Sequence, residues 1–290
     1  MTQEKEMSFI DHLEELRWHL IRAVASVAVF SVIAFLSKDF VYGTLILGPS
    51  KVDFWTYRVL CALSDATCID KINFKLQSRL MTGQFTMHML SSVVIGVICA
   101  FPYAFWEIWR FVKPGLYPQE RKAASGAVFF VSLLFILGIL FGYYVISPLS
   151  IQFLANYQLD PSISNEFDIV SYISTLTTLV LATGLMFQLP MVAFFFAKIG
   201  LISPTFMREY RRHAIVIVLI ISAIITPPDV ISQILIALPL MLLYEISIWV
   251  VAITEKRNKE AELLEEKSLS APANSISNNL PQTPLDQLPE

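Results

Sequence analysis

Charge is scarce in this sequence. Only 16% of its 290 residues are Asp, Glu, Lys or Arg, where soluble domains carry about 25%. With 55% hydrophobic residues and a mean hydropathy of +0.61, that shortage excludes a water-soluble globule, because one core cannot hide so much apolar surface. It also excludes disorder as the main architecture. Cysteine is scarce too; three residues are too few for a disulfide scaffold. The four histidines, at 12, 19, 88 and 213, are scattered over different segments and show no metal-ligand spacing. No cofactor is expected. Neither sign of charge dominates, with 21 basic and 24 acidic residues, so no nucleic-acid partner is suggested. The solvent expected for most of the chain is the lipid bilayer.

What is present is a series of charge-poor runs. A spanning helix needs about 20 apolar residues at ~1.5 Å of rise each. Six runs qualify as spans, at about 18–37, 81–105, 124–147, 170–196, 213–226 and 231–253. The fifth is short: the 14 residues between Arg212 and Pro227 make ~21 Å of helix against a hydrocarbon core of ~30 Å. Thr226-Pro227-Pro228-Asp229 leaves almost no loop before the sixth, so a tight hairpin of short fifth and sixth spans is expected, thinning the bilayer locally. Pro148, Pro190 and Pro239 are expected to kink or end helices. The expected fold is an all-α membrane protein, a curved, concave bundle of six transmembrane helices.

Lys and Arg orient it. The N-terminus, the second and fourth connections and the C-terminal tail hold 15 of them, Lys5, Arg17, Arg121 and Arg212 among them; the other side holds 6, all in the first connection. The positive-inside rule then places both termini in the cytoplasm. Five acids in the first 15 residues, with no apolar core among them, argue against a cleavable leader. Residues 1–17 are expected to form a cytoplasmic amphipathic segment along the membrane surface, with Phe9, Leu13, Leu16 and Leu20 on one stripe. Residues 254–290 are expected to be a disordered cytoplasmic tail. Cys61 and Cys68 share the first outward connection, where an oxidising compartment would permit a disulfide and two separate thiols are the other reading.

Three motifs stand out. The N-terminal segment reads His12-Leu13-Glu14-Glu15-Leu16-Arg17. The second inward connection holds Phe101-Pro102, then Trp109-Arg110-Phe111-Val112-Lys113-Pro114-Gly115-Leu116-Tyr117-Pro118-Gln119-Glu120-Arg121, dense in aromatics and in rigid Pro-Gly backbone. The third is the Thr-Pro-Pro-Asp hairpin. In this order, over residues 8 to about 253, they closely resemble TatC, the multispanning subunit of the twin-arginine protein translocase.

The resemblance implies a non-enzymatic receptor in a bacterial inner membrane. It would bind the twin-arginine signal peptides of folded precursors, recruit single-span partners of TatA and TatB type, and self-associate in a larger complex powered by the proton-motive force. A guanidinium pairs bidentately with a carboxylate, and the matching acceptors are Glu15 and Glu120. Arg17 would orient Glu15 or bind lipid phosphate, and Phe111 would line the same patch. Gln188 stands where many relatives carry Glu; since an amide does not titrate, a partner contact or an interhelix hydrogen bond is expected there rather than a proton relay. Glu245 reads equally as part of a partner-binding face or as a structural ion pair. Pro49 is expected to stiffen an outer cap and Asp229 to cap the sixth helix. The competing reading is a proton-coupled carrier of a small solute, which would want ionisable groups near the midplane and internal repeats.

Overall fold

A computed structural model describes residues 9–63, 74–113, 126–160, 162, 165–225 and 230–270. Its first helix, α1 (Phe9–Leu36), contains neither Gly nor Pro and runs without interruption. Of the segment 1–17, residues 9–17 are continuous with the first span in this one helix, and residues 1–8 lie outside the described residues. A short helical turn, a wide π-type turn at Val41–Ile46 and a tight turn at Gly48–Ser50 come next, and then α2 (Trp55–Leu63).

The helix α3 (Gly83–Val112) returns antiparallel to α1 and passes through Pro102. Three contacts hold them in place, two between the helices and one from the π-type turn beyond α1. The Tyr42 and Ser91 hydroxyls meet at 2.9 Å, Gly96 lies against Ser31, and His19 reaches Glu107. Gly96 is required here, because a Cβ would fall 2.7 Å from the Ser31 backbone nitrogen; small residues let spanning helices approach this closely.

The third span is one helical run: α4 (Ala127–Phe141), a π-type segment at Gly142–Ile146, and α5 (Ser147–Asn156). It exceeds the expected 124–147 because Pro148 sits in the first turn of α5, where its missing N–H costs nothing. The fourth span is α6 (Ile169–Met186), begun by the Asp168 carboxylate accepting from Val170 N at 2.8 Å. A turn at Phe187 and Gln188 leads to α7 (Leu189–Lys198), opened by Pro190. Gly200, at φ 75°, closes α7: Gly200 N donates to Ala197 O and Leu201 N to Phe196 O, a left-handed C-terminal cap that favours glycine. Beyond it lie α8 (Pro204–Glu209), α9 (Arg211–Ile225) and α10 (Val230–Ser270).

Among the described residues, five helical runs are long and apolar enough to cross a membrane: Glu14–Leu36, Gly83–Val112, Ala127–Asn156, Ile169–Lys198 and Gln233–Glu260. At 15 residues, α9 is ~22 Å long and falls short of a ~30 Å core. The sixth run departs from expectation. Far from short, α10 is 41 residues long, carries Pro239 inside it and extends through Ser270. The stretch 254–270, taken as the start of a disordered tail, is therefore helical. It is rich in good helix formers and laced with pairs four apart, Glu255–Lys259 at 2.6 Å and Lys256–Glu260 at 3.9 Å. A second departure is a small parallel pair, β1 (Lys75–Gln77) beside β2 (Glu166–Asp168), which joins two loops in an otherwise helical molecule.

Aromatic hydroxyls secure the end of the bundle that holds Pro49. Tyr57, 1% exposed, donates to Pro49 O at 2.9 Å and Pro148 O at 3.2 Å. Burial pushes its phenol far above the ordinary range, so it remains a donor. Tyr143 donates to Leu45 O at 2.8 Å and Tyr172 to Ile46 O at 2.9 Å. Pro49 is buried, its carbonyl held by Tyr57. Cys61, on α2, is disulfide-bonded and Cys99 is a free thiol; Cys68 lies outside the described residues.

Candidate functional site

At the opposite end, where α1 begins and α3 finishes, polar side chains converge from both helices. His19 is 7% exposed and Glu107 is 1% exposed. The His19 Nδ1 lies 2.6 Å from Glu107 Oε2, and the Tyr103 hydroxyl donates to Glu107 Oε1 at 2.9 Å. The Arg22 guanidinium is 4.0 Å from the same carboxylate. A buried charge this well supplied with donors and a neighbouring cation meets the condition under which burial is tolerated. The sequence builds the cluster by periodicity: Tyr103, Glu107 and Phe111 fall four apart on one face of α3, and Glu15 and His19 fall four apart on α1.

Two of the sequence-derived site residues flank this cluster. Glu15 Oε1 is 4.0 Å from His19 Nε2, and its side chain is 41% exposed. The Phe111 ring centroid is 6.4 Å from that of His19, tilted by 55°. The result is a half-open carboxylate above a buried His–Glu pair, with an aromatic ring at one side. Such a site offers a planar anionic acceptor to a cation from water, against a floor less polarisable than water. Arg17 is exposed on α1. Glu120, the second acceptor expected from the sequence, lies outside the described residues, as does Asp229.

The remaining expectations fall elsewhere. Gln188, at the turn between α6 and α7, donates from Nε2 to the Val131 carbonyl of α4 at 3.1 Å, the interhelix hydrogen bond weighed from the sequence. Its Oε1 is buried without a hydrogen-bond partner among the described residues. Glu245, on α10, pairs with Arg211 of α9 at 2.6 Å, with both side chains about half exposed. The pair ties the short helix to the long one.

Glu107 and His19 are absent from the sequence-derived site. The charge of Glu107 marks the end of the second apolar run, so hydropathy treats it as a boundary rather than as buried. The signal that finds it is the four-residue spacing Tyr103, Glu107, Phe111 read on a helix that continues to Val112.

The family model of the Sec-independent protein translocase protein (TatC) matches residues 11–239. The TatC protein of Blattabacterium sp. subsp. Periplaneta americana is 37% identical over 256 residues, covering 86% of this chain and 96% of the relative. That of Campylobacter jejuni is 34% identical over 251 residues, covering 87% and 96%. Among solved structures, a crystal structure of the twin-arginine translocase receptor TatC superposes with a TM-score of 0.65 at 32% identity, covering 84% of this chain and 99% of that one. A second crystal structure of that receptor, in DDM, gives a TM-score of 0.68 at 32% identity, covering 82% and 98%. A match across most of the sequence, relatives similar from end to end and a shared multispanning helical fold lead to one conclusion: this chain belongs to the TatC family of Sec-independent protein translocase proteins.

Proposed function

We propose that this chain is the receptor subunit of a twin-arginine translocase in a bacterial inner membrane, and that Glu15 accepts one arginine of the signal peptide. The observation that carries the reading is the half-exposed Glu15 carboxylate poised over the buried His19–Glu107 pair beside Phe111. A charge-assisted hydrogen bond contributes about 1.5–3 kcal/mol, and partial shelter keeps it from the near-zero worth of a fully exposed pair. Glu120 supplies the second acceptor in this reading, so that two contacts separate twin-Arg from neutral signals by orders of magnitude. Six spans with both termini in the cytoplasm put both acids on the face that precursors meet; α9 completes the six by sitting in a locally thinned bilayer. Small partners of TatA and TatB type join through helix faces on the later spans.

The small-solute carrier loses its ground. Glu107 and His19, ionisable side chains buried in spans, are tied to each other, and Glu107 to Tyr103, near helix ends rather than presented along a path at mid-depth. The test is titration of the detergent-purified chain with signal peptides carrying Arg-Arg or Lys-Lys. Tighter binding of Arg-Arg, lost in Glu15→Ala with Glu120→Ala, is expected. Equal binding of both peptides, or binding untouched by the double variant, overturns the proposal.

A further inference from the structure

The partner of His19 dictates which edge of the ring it takes. An ionised carboxylate accepts and does not donate, so the 2.6 Å contact with Glu107 makes Nδ1 the donor. Glu107 is also held by the Tyr103 hydroxyl at 2.9 Å, from one helical turn away. With two donors and almost no exposure, that carboxylate has little freedom to turn, and the imidazole bonded to it is fixed in turn. The opposite ring edge is thereby directed at Glu15: Nε2 stands 4.0 Å from Oε1, beyond hydrogen-bond distance. Glu15 keeps its oxygens open to an incoming donor while the ring limits where its carboxylate can swing.

We propose that His19 is a positioning residue: anchored through Nδ1 on Glu107, it holds the Glu15 carboxylate in the plane and direction that a guanidinium requires and an ammonium does not. The inference rests on the reading of Glu15 as an arginine acceptor. Bidentate pairing forms two parallel N–H···O bonds at once, so it needs a fixed acceptor plane. A lysine ammonium is a compact charge with rotatable donors and tolerates many orientations. Releasing the anchor therefore lowers affinity for twin-Arg more than for twin-Lys and erodes the discrimination itself. The buried pair becomes a determinant of specificity although it touches no signal peptide.

Two amide variants isolate the anchor. The side-chain nitrogen of Asn occupies roughly the place of Nδ1, and that of Gln the place of Nε2. His19→Asn thus keeps a donor for Glu107 and His19→Gln does not. The full-length chain in detergent is titrated with Arg-Arg and Lys-Lys signal peptides, and each variant's thermal unfolding is recorded. The link needs both ring nitrogens, so His19→Asn, which loses the edge facing Glu15, and His19→Gln, which loses the anchor on Glu107, are each expected to lower the Arg-to-Lys affinity ratio by roughly five- to tenfold. Glu107→Met removes the anchor from the other side, is expected to match His19→Gln, and carries the test if His19→Gln does not fold. A purely structural role lowers both affinities and the unfolding temperature together and leaves the ratio unchanged, which overturns the inference. So does a wild-type ratio kept by His19→Asn, which has lost the ring edge facing Glu15. A wild-type chain that does not discriminate sinks the Glu15 reading itself; a discriminating wild type beside an unchanged His19→Gln ratio sinks only this inference.

Discussion

Gly96→Ala probes the crossing on which the site depends. A Cβ at this position would meet Ser31 Oγ at 2.1 Å, Ser31 N at 2.7 Å and Ser31 Cα at 2.9 Å. The hydroxyl can rotate away; the backbone atoms cannot. Because real Cβ contacts under 3.0 Å are essentially never seen, α1 and α3 must part by roughly 0.5–1 Å, a gap that forfeits a quarter to a half of the dispersion well for the contacts it opens. Overpacking of this kind costs about 1–3 kcal/mol. The better helix propensity of Ala contributes about 1 kcal/mol in the other direction, so the net loss is about 0–2 kcal/mol, and about 1–3 kcal/mol relative to a Gly→Ala control that gains the propensity alone. For a chain of this size the difference from that control is a fall of about 2–12 °C in the unfolding temperature, measured on detergent-purified protein by loss of the monodisperse peak after heating. Gly43→Ala is the control, since nothing lies within 4 Å of its added Cβ. Ser31→Gly in the Gly96→Ala background clears the hydroxyl but not the backbone contact, and no rescue is expected. A Gly96→Ala protein as stable as the Gly43→Ala control, or one fully restored by Ser31→Gly, refutes the backbone-contact argument.

Three further outcomes are expected. Tyr57→Phe strips the Pro49 and Pro148 carbonyls of their buried donor and is expected to destabilise by about 1–3 kcal/mol, read in the same heating assay; an unchanged midpoint counts against the hydroxyl cap. Arg211→Ala and Glu245→Ala, combined in a double-mutant cycle, are expected to show a coupling of about 1 kcal/mol or less in detergent, because each partner is about half exposed; a coupling several times larger would mean that the pair is sheltered from water. In an alkylation-shift gel, Cys99 is expected to react before reduction and Cys61 only after it, since a disulfide leaves no thiol to alkylate; modification of Cys61 without reductant contradicts the bridge.

Much of the fold was legible because its causes are local. Length without charge gives a spanning helix, and the short run between Arg212 and Pro227 reappears as the 15 residues of α9. Misreadings came where a local signal was taken as a stop. Glu107 ends a charge-free run and Glu255 a run with Glu245 as its one charge, yet α3 continues to Val112 and α10 to Ser270, because hydropathy marks the edge of lipid and not the edge of a helix. Pro148 misled similarly, since a proline in the first turn leaves the rest of its helix intact. Within the candidate site, Glu15 and Phe111 stand in motifs along the chain, whereas His19 is one of four scattered histidines until α1 is paired with α3.

The solvent, the helical segments and the family can all be had from the chain read end to end, since apolar run length, breakers and motif order lie along one dimension. The site's foundation cannot. His19 and Glu107, 88 positions apart, meet through a hydrogen bond of 2.6 Å. Their meeting depends on the antiparallel register of α1 and α3, and that register is set by the bare backbone of Gly96 against Ser31, a contact that no single stretch of chain encodes.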